Sequence, residues 1–326
     1  MSKKYILIVA VSLLLVGAIA VCGIMIGKNK KIVKDAEDAS KRIEAPFCML
    51  VLGHDEASGL CDVMMLVSVD RENGTAAIMQ IPRDTYALYG DGSHRKLNAA
   101  ARILGEEELC EFLSEALGVK IDGYVSLELD AFRKIVDRVG GVEVTLKKAI
   151  YYEDPSQGLY IYLPKGRQML DGEKAEMLVR YRSGYSGGDL DRLDAQKVFL
   201  AALFSSIKKN VNILNAYGVA SDILPNLKTN IGAPTLVSLG LEALRLEGAE
   251  ITVMTLPGEG AVSELSGASF YVMSAPIADK GLRRYFGKTA EGIDLNSAFL
   301  HADYKSFKEI YEKDGELSVS SIDELG

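Results

Sequence analysis

A chain of 326 residues with 48% hydrophobic content can bury a large core, so it reads as one large domain, or one domain with a smaller appendage. Its net charge of -8 and pI near 5.2 exclude general affinity for DNA or RNA. The four cysteines and three histidines are scattered without disulfide or metal-ligand spacing, which argues against a zinc site and a thiol nucleophile.

From Tyr5 to Gly27 the chain is uncharged, mostly Ile, Leu, Val and Ala, and long enough to cross a bilayer as one helix. A cleaved signal peptide is the competing reading. Its apolar region is normally shorter, and Val21 before Cys22 fits a lipoprotein cleavage site poorly. Lys3 and Lys4 precede the stretch, whereas Lys28, Lys30, Lys31 and Lys34 follow it. A positive-inside count therefore puts the rest of the chain in the cytoplasm, although large domains translocate regardless of such charges. Residues 1–27 read as a stub plus transmembrane anchor, and the polar residues 28–44 as a linker.

Phe47 to Gly53 is a buried-strand pattern, and the turn-rich stretch after it carries Asp55. Asp62 opens a second apolar run, Val63 to Val69, and Gly74 separates it from a third, Thr75 to Ile81. Three short strands joined by turns predict a sheet. Antiparallel pairing of the first two brings Asp55 and Asp62 to one sheet edge, where carboxylates can hold Mg2+ with water and substrate phosphate. Both equally suit turn capping, and the two readings stay open. Pro82 ends the third strand and leaves Arg83 and Asp84 at its tip, a usual place for functional residues. Lys96 opens a helix predicted through Ile103. Glu106 to Leu117 predicts another, whose stripe of Leu109, Phe112, Leu113 and Leu117 faces a core or lines a slot for a lipid tail. Tyr124 to Leu129 alternates as a strand, Asp130 is placed to cap a helix over Ala131 to Val139, and Val142 to Leu146 resumes an extended pattern.

Asp171 and Gly172 begin a helix leading to Arg180. Arg180 and Arg182 share a face only in extended chain, so that helix must end near Arg180 if both serve one site. A long helix from Leu190 to Lys208 puts Arg192 and Gln196 on one face, with Asp189 at its first turn and Leu193, Leu200, Leu203 and Ile207 on its apolar side. Gly184, Gly187 and Gly188 make a flexible connection through which three guanidiniums and an amide can converge on one ligand. Planar arginine forks suit phosphate oxygens, so the inferred anion is a phosphate or pyrophosphate. Surface ion pairs are the competing reading. A helix near Thr235 to Leu246 and a strand from Ile251 to Leu256 complete a mixed α/β domain. After Pro257 the pattern weakens, and residues 261–326 read as a surface extension with an acidic tail of disorder-compatible composition.

Several motifs, taken in order and spacing, resemble the LytR-CpsA-Psr family of membrane-anchored cell-wall enzymes over about residues 45 to 258. They are Gly53 to Asp55, Asp62 to Leu66, Ile81 to Thr85, Lys96 to Ala100, Asp130 to Val144, Val179 to Arg182 and Asp189 to Gln196. The resemblance implies an α-β-α sandwich with a central mixed β-sheet and a hydrophobic pocket for a prenyl chain. Residues 45–258 would be the catalytic domain, extracellular on a single-pass anchor in the membrane of a Gram-positive-type bacterium, and 259–326 a C-terminal extension. It implies a phosphotransferase that moves a glycopolymer (a teichoic acid, a capsule or another secondary polymer) from a polyprenyl pyrophosphate carrier onto peptidoglycan, or in some members a glycoprotein. The family's metal carboxylates match Asp55 and Asp62, for Mg2+. Its phosphate-binding arginines match Arg83, Arg180, Arg182 and Arg192, with Lys96, Asp189 and Gln196 completing the polar site. Asp84 and Asp189 are both candidates for the acceptor's base. A pyrophosphatase, and a non-catalytic regulatory or scaffolding membrane protein, are the alternatives. One departure stands out: the family commonly writes Arg-Ser before the second metal carboxylate, where this chain has Leu60 and Cys61.

Overall fold

The computed structural model describes residues 46–54, 60–88, 94–146, 148–154, 159–180, 189–210, 227–287 and 304–325, with single positions 38 and 41 ahead of them. β1 (Phe47–His54), β2 (Cys61–Asp70) and β3 (Thr75–Ile81) form an antiparallel meander. Asp70 sets the β2–β3 turn, its Oδ1 accepting the Glu72 and Asn73 N–H groups, and Gly74 closes it at φ 64°.

β4 (Tyr86–Leu88) and β5 (His94–Lys96) make a small hairpin, followed by a 3-10 turn over Leu97–Ala99 and α1 (Ala100–Leu104). Lys96 thus ends a strand instead of opening a helix, because pairing with Tyr86 holds its backbone extended. α2 (Glu106–Leu117) carries three glutamates in its first turn, where the helix dipole favours them. It stops at Gly118, whose left-handed backbone lets its N–H reach the Ser114 carbonyl. The predicted stripe packs inward: Leu109, Leu113 and Leu117 are buried and Phe112 is partly so.

β6 (Gly123–Glu128) runs into α3 (Leu129–Arg138) with no intervening loop. Asp130 therefore lies inside the first turn, bonded to Arg133, and not at the cap. β7 (Val142–Leu146), β8 (Ile150–Asp154), β9 (Leu159–Leu163) and β10 (Gly166–Leu170) follow, β7 pairing with β10 and β8 with β9. Next come α4 (Gly172–Arg180), α5 (Asp189–Asn210), β11 (Leu227–Thr229), α6 (Ala233–Arg245) and β12 (Ile251–Thr255). The chain closes with β13 (Gly258–Val262), β14 (Ser269–Met273), α7 (Ala275–Tyr285), α8 (Tyr304–Tyr311), β15 (Ser320–Ser321) and α9 (Ile322–Leu325).

The central sheet is mixed and has seven strands in the order β11-β6-β1-β2-β3-β12-β15. Its middle strands are apolar on both faces because each face carries a core. Met49, Val51, Met65 and Val67 pack with α3, α4 and α5, while Leu50, Leu52, Met64 and Leu66 pack with α2, α7 and α8. Most of the stretch after Pro257 belongs to this second layer, where Phe270, Phe307 and Tyr311 are buried; β15 pairs with β12, and Ile322 of α9 joins the first core. The elements of this stretch are no longer than eleven residues, too short to leave a readable period in the sequence. No described helix is long and apolar enough to cross a membrane, and Tyr5 to Gly27 lies outside the described residues.

Candidate functional site

Strand directions decide where a site can form. β1 runs parallel to β6, β3 runs parallel to β12, and β2 is antiparallel to both β1 and β3. The carboxyl ends of β1, β3, β6 and β12 therefore share one edge with the start of β2. Ligands of open α/β sheets bind at such an edge. The register pairs His54 with Cys61, so Asp62 sits in the backbone beside the end of β1, from which the chain continues to Asp55. Asp55 itself lies outside the described residues.

Pro82 cannot extend the ladder, and the chain turns at once. The Thr85 N–H returns to the Pro82 carbonyl at 3.0 Å. Each carbonyl of the turn is then claimed: Arg83 by Asn98 N, Asp84 by Tyr271 N and Thr85 by Leu97 N, at 2.8–2.9 Å. Two separate segments, the 3-10 turn at Leu97–Asn98 and β14 at Tyr271, thus clamp this turn. The Arg83 side chain is only 4% exposed, with Nε 3.8 Å from Asp84 Oδ1, and Lys96 Nζ approaches the same oxygen at 3.3 Å. Two cations around one carboxylate, one of them buried, make a local field suited to phosphate oxygens. Beneath the turn, Tyr86 meets Phe270 at 4.9 Å and Phe307 at 5.1 Å, edge to face.

Two helices deliver their ends to the same edge. Gly172 N donates to Asp137 Oδ1, and Arg133 binds Glu176, so α4 runs antiparallel to α3. α3 starts where β6 ends, and α4 therefore ends, on Arg180, at the site edge. At the far end of α5, Lys208 Nζ binds the Leu246 carbonyl and Glu247, which precede β12. A helix of 22 residues spans about 33 Å, so Asp189, Arg192 and Gln196 ride on the end nearer the site. Arg192 and Gln196 are one turn apart on it. Arg182 and the three glycines lie outside the described residues.

One cluster at this edge was not legible from spacing. Glu106 Oε2 accepts from Lys228 Nζ at 2.6 Å, across 122 residues of sequence, and Glu106 Oε1 lies 4.0 Å from His54 Nε2. Burial pushes the Glu106 carboxyl up, but the hydrogen bond and charge of Lys228 outweigh it and hold it below its ordinary range. Burial keeps the His54 imidazole below its ordinary value, against the pull of Glu106. The cluster ties α2 and β11 to the end of β1. Cys61, standing where the family writes Ser, is fully buried, and its Sγ donates to the Val63 carbonyl at 2.8 Å. A separate cavity of about 490 Å³ lined by Glu107, Glu111, Glu115 and Asp122 has the wrong charge for a phosphate.

A mixed sheet layered between helices defines an α/β domain. The LytR_cpsA_psr family profile matches residues 24–285, and the chain belongs to that family. It is 32% identical over 214 residues to the polyisoprenyl-teichoic acid–peptidoglycan teichoic acid transferase TagV of Bacillus subtilis strain 168, covering 63% of this chain and 54% of that protein. The crystal structure of B. subtilis TagV matches with a TM-score of 0.64 at 28% identity, over 75% of this chain and 98% of that one. Protein gbs0355 from Streptococcus agalactiae shares the fold, with a TM-score of 0.70 at 21% identity over 84% and 98% of the two chains. Matches to the curated relatives span about half to two thirds of their lengths.

Proposed function

We propose that this chain is a membrane-anchored, Mg2+-dependent phosphotransferase working outside the cell membrane, which moves a glycopolymer from a polyprenyl (undecaprenyl) pyrophosphate carrier onto peptidoglycan. The observation that carries this reading is the buried Arg83, set with Lys96 around Asp84 in a clamped turn at the carboxyl edge of a family sheet. In the reaction, an acceptor hydroxyl oxygen attacks the sugar-linked phosphorus, the bridging bond to the lipid phosphate breaks, and polyprenyl phosphate leaves. Arg83 and Lys96, joined by Arg180, Arg182 and Arg192, neutralise the charge that grows on the bridging and terminal oxygens, the main task in phosphoryl transfer. The acceptor proton passes to Asp84 or Asp189. Gln196 orients a phosphate oxygen by hydrogen bonding.

By residue type, two carboxylates suit a hard dication. Asp55 and Asp62 offer oxygen, and the soft neighbour, Cys61, is turned away to the Val63 carbonyl. When bound there, Mg2+ supplies charge neutralisation on the phosphate oxygens. The test is incubation of the full-length chain in detergent with a synthetic polyprenyl-pyrophosphate-linked glycan and peptidoglycan. A phosphodiester-linked adduct that forms only with Mg2+ is the expected product. Pyrophosphate cleavage with water as the sole acceptor would convert the reading to a hydrolase, and an untouched donor would leave a non-catalytic role.

A further inference from the structure

On the first-core face of the sheet, two neighbouring parallel strands turn polar at the same level. β3 places Ala76, Ile78 and then Gln80 on that face, and β12 places Ile251, Val253 and then Thr255. The register sets Gln80 between Thr255 on one side and Met65 on the other. Thr255 is the last residue of β12 and Gln80 the last but one of β3, so the pair stands at the carboxyl edge, three residues before Arg83. α4 and α5, which end on Arg180 and begin near Arg192 at that edge, pack on the same face. Gln80 is 1% exposed. The Thr255 hydroxyl donates to its Oε1 at 3.4 Å, and the Leu256 N–H donates to its backbone carbonyl at 2.8 Å. Its Nε2, by contrast, has no hydrogen-bond partner among the described residues. Buried polar atoms without partners are uncommon, and an unmade donor in a dry place costs free energy that an apolar side chain of the same length would not. The fold alone gives no reason for an amide at this position.

We propose that Gln80 is a substrate-binding residue whose Nε2 donates to a phosphate oxygen of the prenyl pyrophosphate, a proposal that rests on the transferase reading above. The chemistry of the amide suits that partner. Phosphate oxygens accept from N–H groups, and a hydrogen bond to an ionised acceptor is about twice as strong as one between neutral groups. In a water-excluded place it is stronger still. A neutral donor also adds hold on the phosphate without a further cation to desolvate. Thr255, only partly buried, is the positioning residue: by occupying Oε1 it presets the amide, which lowers the ordering cost of binding.

The test compares binding with stability. Full-length wild type, Gln80→Met and Thr255→Val, all in detergent with Mg2+, are titrated with farnesyl pyrophosphate and with farnesol, which has the chain without the phosphates, beside thermal melts without ligand. Gln80→Met is expected to bind the pyrophosphate about tenfold more weakly, to bind farnesol as wild type does, and to melt no lower, since it sheds an unpaired buried amide. Thr255→Val keeps the shape but releases Oε1, and is expected to lose about threefold for the pyrophosphate; it decides the matter if Gln80→Met folds poorly by circular dichroism. Equal pyrophosphate binding by all three proteins overturns the proposal. So does a loss shared by farnesol, which would set Gln80 against the chain, or a loss matched by a lower melting point, which would make the amide structural. Absence of pyrophosphate binding by the wild type overturns the transferase reading itself, so the two failures are distinguishable.

Discussion

A guanidinium only 4% exposed keeps little of its hydration shell, so the fold around Arg83 must supply the electrostatics that water would have given. Asp84 and Lys96 frame it, and three backbone N–H groups hold its turn through the carbonyls, which no side-chain substitution removes. Arg83→Ala should therefore leave the turn in place while lowering transfer about a hundredfold or more, the scale of removing one preorganised charge donor. Steady-state rates with the lipid-linked donor, beside a thermal melt, check this. Arg83→Lys should recover only part of the rate, since a point charge does not replace a planar fork. This residue was legible in the sequence because Pro82 marks the strand end. Glu106 and Lys228 were not, for their pairing across 122 residues leaves no local spacing. Asp130 was misplaced for a related reason: capping preference is a local signal, and β6 running directly into α3 overrode it.

Among the elements, α4 shows how much placement depends on a single small residue. A Cβ on Gly172 would come within 2.5 Å of the Arg133 carbonyl oxygen, so the helix meets α3 at a distance that only glycine permits. Gly172→Ala should push the two apart, lowering stability by about 1–3 kcal/mol in a denaturant titration and lowering activity with it, because Arg180 ends this helix. The same helix is capped by Asp171, whose Oδ1 accepts the Lys174 N–H at 2.9 Å. Asp171→Ala should cost about 1 kcal/mol. The hydrogen bond from the Lys174 side chain holds the Asp171 carboxyl below its ordinary range. Its contribution is then complete above the unfolded aspartate value and is lost as pH falls below about 4. The wild-type advantage over Asp171→Ala should fade in that window and persist at neutral pH, as paired melts at several pH values would show. Long periodic elements were readable nearly to the residue: α2 and α4 run as expected, and α5 starts one residue earlier and ends two later than the expected Leu190 to Lys208. The 3-10 turn after Lys96 was not, since a strand pairing decided it.

Over the whole molecule, the two cores have unequal legibility. The strands and long helices of the first follow clear apolar patterns, whereas the second depends on short late elements that close over the Arg83 turn. Phe307, fully buried against Tyr86 and Phe270, links α8 to that turn. Phe307→Ala should cost about 3–5 kcal/mol, measured by chemical denaturation, far more than a residue in a surface tail would. The far-apart contributions to the site edge, from β1, β2, β3, α4 and α5, share one physical origin: parallel and antiparallel directions that bring those ends together. What the account claims above all is that this edge holds a polyprenyl pyrophosphate. Mass spectrometry of lipid released from the full-length protein after gentle membrane extraction tests it most directly. A co-purifying polyprenyl phosphate or pyrophosphate that is absent from Arg83→Ala is the result the account predicts. No such lipid on the wild type, with no binding of a synthetic prenyl pyrophosphate in the presence of Mg2+, would contradict it.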